Sequence, residues 1–180
     1  MPETLTERDA RRHLGRLIDE QIATRSDAMY LSRHYEINDL GRAAAGIFDK
    51  TQMNGLERVA LSASTFGEIA NYIKSQCGRT TSIGKKWREM DRRSGKPFGQ
   101  RLYEMLSRKV IGTVASNTKD LMKAVKKGKL HEALRREDEK KRDATDRIEE
   151  EVSRQLRVGY AQAYISHVVS HYNYEKSMDM

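Results

Sequence analysis

A single cysteine, Cys77, excludes an internal disulfide and leaves no second thiolate for a Cys-based metal site. No run of eighteen or more apolar residues occurs, so no membrane-spanning helix is expected and a membrane is not among the expected partners. The opening stretch MPETLTERDARRHLG is charged from its start and lacks the apolar segment of a secretory leader, which points to the cytoplasm. No alternating Val, Ile or Thr run predicts a strand, and no internal repeat is visible. Motifs with their own chemistry are also missing: there is no GxxxxGK[ST] phosphate loop, no GxSxG elbow, no zinc-finger spacing, no RRM aromatic motif and no helix-turn-helix signature. SIGKKW at 82–87 has Gly and Lys together but lacks the earlier Gly and the hydroxyl after Lys, so nucleotide hydrolysis is not expected.

What the chain has in quantity is charge. Charged residues make up 33% of the sequence, with 34 Lys and Arg against 26 Asp and Glu, for a net charge of +8. The pI is 9.6 and the mean hydropathy −0.81. The distribution is uneven: between Lys74 and Arg142 there are 21 Lys and Arg against 8 Asp and Glu, so the remainder is net acidic. Clustered positive charge is what phosphate neutralisation requires, and this asymmetry is the main compositional argument for a nucleic-acid partner.

The apolar residues follow helical spacing. Leu14, Leu17, Ile18 and Ile22 predict a helix over residues 1 to about 30, with Thr4 or Thr6 as N-cap. Residues 27–38 show no single period and read as continuation or connection; residues 39–50 are helical again. Thr51 is the expected cap of a helix carrying Met53, Leu56, Val59, Ala60 and Ala63. Thr65 followed by Glu68 is a capping-box spacing, opening a helix that stops at Gly78. Residues 79–84 read as a loop, Lys85 to Arg93 as a short basic helix around Trp87 and Met90, and 94–97 as a turn. Pro97 then opens a helix through Phe98, Leu102, Leu106 and Val114. Asn117 with Asp120 predicts a second cap, and Gly128 an exit. From Leu130 to about Tyr174 there is no Pro and only one Gly, Gly159, which predicts a long helix, polar first and apolar later. The expected fold is all-α: a compact single-domain bundle of five to seven helices with a long C-terminal helix, and residues 1–38 as a possible helical extension.

The expected nucleic-acid contacts are Lys74, Arg79, Lys85, Lys86, Arg88, Arg92, Arg93, Lys96, Lys126 and Lys127. Arginine forks onto phosphate oxygens, whereas lysine acts as a flexible point charge. Arg79 follows Gly78 at a helix end and is the first choice among them. Trp87 fits either a stacked base or an apolar cluster with Ile83 and Met90. The last helix offers Tyr164, Val168 and Tyr172 as a protein interface, the feature on which an alternative reading as a helical adaptor rests. A DNA-binding protein is a further alternative. His167 and His171 share a helix face but lack the Glu of the zinc-protease motif, and Asp143, Asp146, Glu149 and Glu150 alternate with cations. Cys77 continues the Phe66, Ile69, Ala70, Ile73 face and reads as a core thiol. No enzyme activity, metal or cofactor is expected.

Three stretches resemble the small helical subunit of type III CRISPR RNA-guided effector complexes. Thr51, Gln52, Met53 and Leu56 are similar to the start of the family's early helix, although Asn54 stands where a basic residue is common and Arg58 follows a turn later. YIKSQCGR at 72–79 resembles the segment that ends a Tyr-containing helix in Gly-Arg, and AYISHVVSHYNY at 163–174 resembles the aromatic closing helix, with His171 and Tyr172 in the matching positions. The likeness spans about half the chain, which carries extra material before Thr51 and a charged extension at 135–151. It implies a non-catalytic subunit that contacts guide and target RNA through the backbone, with Lys74 and Arg79 in RNA-facing positions. It also implies partners among other effector subunits and copies of itself.

Overall fold

The computed structural model describes residues 5–127, 129–136 and 139–178. The chain is all-α, as the apolar spacing predicts. Among the described residues the order is α1 (Glu7–Ile47), α2 (Lys50–Ser62), α3 (Phe66–Gly78), α4 (Ser82–Trp87), β1 (Met90–Asp91), β2 (Lys96–Pro97), α5 (Phe98–Glu104), α6 (Val114–Lys127), α7 (Leu130–Leu134) and α8 (Lys141–Met178). A π-helical turn (Met105–Val110) and a 3₁₀ turn (Ile111–Thr113) join α5 to α6 without leaving helical dihedrals, so 98–127 is one rod. No described helix is long and apolar enough to cross a membrane.

Two helices set the frame. α1 has 41 residues and α8 has 38, about 60 Å each at 1.5 Å per residue. They run parallel: a Cβ on Gly159 would strike Ile22, Tyr30 stacks on His167 with ring centroids 4.6 Å apart, and Arg42 pairs with Glu175 at 3.2 Å. Near the C-terminal ends of both helices, Gly41 lets the backbones approach closely, since a Cβ there would sit 2.7 Å from that of His171. The 98–127 rod lies antiparallel to α1, with Arg101 against Asp39 at one end and Asn117 beside Met29 and Arg25 further along.

The core confirms most of the apolar faces. Leu14, Ile18, Met53, Leu56, Ile69, Ile73, Leu102, Leu106, Ile148, Val152 and Leu156 are all buried. Thr65 caps α3 as expected: its hydroxyl accepts the Glu68 amide at 3.3 Å, while the Glu68 carboxylate accepts the Ser64 amide at 3.1 Å. Those bonds hold the Glu68 carboxyl below its ordinary range, the Ser64 amide contributing most. Thr65→Ala is expected to cost about 1 kcal/mol, read as a lower urea midpoint at unchanged m-value.

Several boundaries differ from expectation. α1 continues through 27–38 and 39–47 without a break. Asp49, not Thr51, caps α2, accepting the Gln52 amide at 3.1 Å. Thr6 caps α1; Thr4 and the Gly128 exit lie outside the described residues. Asn117 caps nothing: it is buried and its amide donates to the Tyr160 hydroxyl at 2.9 Å. The basic helix expected over Lys85–Arg93 stops at Trp87, and a minimal hairpin follows, pairing Met90 with Pro97 and Asp91 with Lys96. The long C-terminal helix starts at Lys141; before it, α7 ends at Leu134, whose carbonyl accepts the Arg147 guanidinium at 2.7 Å.

Candidate nucleic-acid interface

The basic segment begins where α3 ends. Arg79 leaves the helix in extended conformation, and α4 folds back so closely that Gly84 sits against the Arg79 carbonyl with no room for a Cβ. The Arg88 guanidinium then donates to the carbonyls of Cys77 and Arg79, the latter at 2.8 Å. Arg88 thus satisfies the open end of α3 and is not free for phosphate. Burial pushes the Cys77 thiol upward against the opposing charge of Arg88, which agrees with an unreactive thiol.

Trp87 resolves in favour of the core. It is 1% exposed and packs among Phe48, Phe98 and Tyr72, with ring centroids 5.1, 5.8 and 6.2 Å away. Met90, expected beside it, is exposed on the hairpin instead. The turn between the two strands closes on Gly95, whose φ of 62° is the left-handed conformation glycine tolerates, and its amide donates to the Asp91 carbonyl at 2.9 Å.

A chain of alternating charge ties this hairpin to the body. Arg101 reaches Asp39 at 2.7 Å and also pairs with Asp91; Arg93 takes the other Asp39 oxygen at 2.6 Å. Asp91 further accepts the Arg93 amide at 3.2 Å. Burial pushes the Asp91 carboxyl up, but the hydrogen bonds from Ser94 and the Arg93 amide, with the charge of Arg101, outweigh it and hold the group below its usual range. Beside this network lies an open cleft of about 390 Å³, lined by Arg42, Gly46, Met90, Arg92 and Arg93 among others.

The ten expected contact residues therefore divide. Lys74 lies over the Tyr103 ring at 4.9 Å, Lys86 pairs with Asp49 at 3.4 Å and Lys96 with Glu104 at 2.6 Å. Arg88 and Arg93 are held as described. Arg79, Lys85 and Arg92 are exposed and have no ion-pair partner among the described residues. Arg79 stands at the α3–α4 junction, Lys85 on α4 and Arg92 in the hairpin. Lys126 and Lys127 are also exposed, but on the last turn of α6, about 40 Å along the rod from Phe98. The ten positions do not form one patch.

Tyr164, Val168 and Tyr172, expected at a protein interface, are wholly inside the core. Tyr172 lies against Gly41 of α1, and α8 is buried along most of its apolar half. The exposed apolar side chains of α8 are Tyr174 and Met178. His167 and His171 pack on α1: burial pushes His167 down, with Asp27 opposing, and His171 Nε2 lies 2.9 Å from Glu175. Among the described residues no group of three or more His, Cys, Asp or Glu is placed to hold a metal.

Sequence reasoning missed the Asp39–Arg101–Asp91 tie, since its members are 62 and 10 residues apart and carry no motif. It also missed Arg25, Arg33 and Arg108, which line clefts on the same side of α1. Only their charge marked them. Comparison with protein-family models, with curated proteins and with solved structures finds no match.

Proposed function

We propose that this chain is a non-catalytic, RNA-contacting helical subunit of a cytoplasmic ribonucleoprotein, of the kind that the small subunit of type III CRISPR effector complexes represents. The observation carrying the reading is the end formed by α4 and the hairpin. There, Arg79, Lys85 and Arg92 have no ion-pair partner among the described residues and stand on a frame that Arg88, Arg93 and Arg101 have locked. A rigid display of cations with no base-reading element suits contact with the backbone of a strand whose sequence is read by pairing. In such an assembly the further partners are other effector subunits and copies of this chain.

Purification with native partners and identification of the co-purifying nucleic acid tests the reading. RNA released by raised salt supports it. A nucleic-acid-free complex that persists at high salt overturns it in favour of a protein adaptor.

A further inference from the structure

The hairpin cleft lies between α1 and residues 89–93, and two further clefts open where α1 meets the 98–127 rod. The other two are bounded by Arg33, Tyr35 and Arg108 in one case and by Arg25, Ser116 and Asn117 in the other; they share Ser32, Arg33 and Thr113 and so form one groove. The α1 residues on the three clefts include Arg25, Ser32, Glu36, Asp39, Ala43 and Gly46. Their three- and four-residue spacing puts them on one helix face, so the groove and the hairpin cleft follow the same face of α1.

The chemistry of this groove is specific. Tyr35 is 79% exposed, leaning on the neighbouring His34 ring at 4.0 Å, with Leu31 a turn away and 72% exposed. An aromatic ring presented on a rigid helix is a stacking platform for an unpaired base. Arg25, Arg33 and Arg108 have no ion-pair partner among the described residues, whereas Glu36, the carboxylate that lines the groove with them, is already engaged. The π turn and the 3₁₀ turn bring Arg108 and Gly112 to the rim, and the space around Gly112 is open. π turns recur at functional sites. Along the groove, the hydroxyls of Ser32, Thr113 and Ser116 donate to carbonyls of their own helices, at 3.2, 2.7 and 3.0 Å, and each keeps lone pairs that can accept. Guanidinium donors for phosphate beside hydroxyl acceptors for base N–H groups match a single strand.

We propose that this groove binds a run of single-stranded RNA, with a base stacked on Tyr35 and phosphates on Arg33, Arg108 and Arg25. The inference rests on the RNA-contacting reading above and extends it to a second, aromatic subsite.

Binding of the full chain to fluorescein-labelled oligouridine of roughly 15 nucleotides, read by anisotropy across a salt series, tests it. Tyr35→Ala is expected to weaken binding about tenfold and Tyr35→Phe to retain it, since stacking needs the ring and not the hydroxyl. The double variant Arg33→Ala, Arg108→Ala is expected to lower the salt slope by about 1.4. Photocrosslinking with 5-iodouridine is expected to mark Tyr35. If both groove variants bind as wild type while Arg79→Ala, Lys85→Ala, Arg92→Ala loses affinity, the groove is refuted and the RNA reading stands. If Tyr35→Ala changes self-association and not RNA affinity, the groove is refuted as well. If the wild-type chain binds no RNA at low salt, the RNA reading fails and the groove with it.

Discussion

Arg101→Met is expected to destabilise the protein by about 3–5 kcal/mol at pH 7. Among the described residues Arg101 is the only side chain that touches both Asp39 and Asp91, and all three are largely shielded from solvent. Methionine keeps the length and the apolar stem but removes the charge, leaving two carboxylates near one another with Arg93 alone to offset them. The cost is the desolvation of unpaired charge, which exceeds the net worth of the intact pair. Its pH dependence follows from the direction of the Asp91 shift. Because that carboxyl is held below 3.8 in the folded chain, its stabilising contribution is complete above pH 3.8 and is lost as the pH falls through the lower folded value. The variant lacks that contribution and gains from protonating the unpaired acids. The gap between the two proteins is therefore expected to narrow on acidification below pH 3.8, measured by urea denaturation. A gap that does not change with pH would mean that Arg101 acts through packing alone.

Trp87→Ala is expected to cost about 3–5 kcal/mol, through lost burial and the cavity left among Phe48, Phe98 and Tyr72. The site cannot collapse easily, since Gly99 already brings the α5 backbone against the indole. Trp87→Phe retains part of the aromatic packing and is expected to lose less. Trp87 is also the only tryptophan, which makes the wild-type protein its own reporter. A buried indole gives blue-shifted emission that acrylamide quenches poorly, and RNA binding is expected to leave that emission unchanged. Strong quenching by RNA would contradict its place in the core and restore it as a stacking residue.

How much of this was legible depends on the range of the interaction. The Thr65–Glu68 cap and the stop at Gly78 are local, and both appear where the spacing puts them. Residues 27–38 read ambiguously because they carry two apolar sets: Met29 and Ile37 face the core, while Leu31 and Tyr35 face solvent. The overlap blurs the period, yet it is the trace of the groove. The hairpin is invisible to periodicity, since two-residue strands have none. The break before α8 has no Gly or Pro to announce it and is made by a tertiary contact. Arg147 holds both the Leu134 carbonyl and Glu139, and its hydrogen bonds draw the Glu139 carboxyl down to about 2.

For the interface, the total charge was legible and its use was not. Asp49, Glu104 and Asp39 each take a cation that the sequence offers to phosphate, and their distance along the chain hides the pairing. Val168 illustrates the converse. Its apolar stripe reads equally as an interface or a core face, and the length of α1 alongside it decides for the core.

The most direct test of the account is the salt dependence of RNA binding by the purified chain and two variants. With Arg79, Lys85 and Arg92 replaced by Ala, the slope of log Kd against log salt is expected to fall by about 2, and affinity to drop roughly 100-fold at low salt. With Lys126 and Lys127 replaced, both are expected to stay at wild-type values. A triple variant that binds RNA with the wild-type slope and affinity would contradict the account.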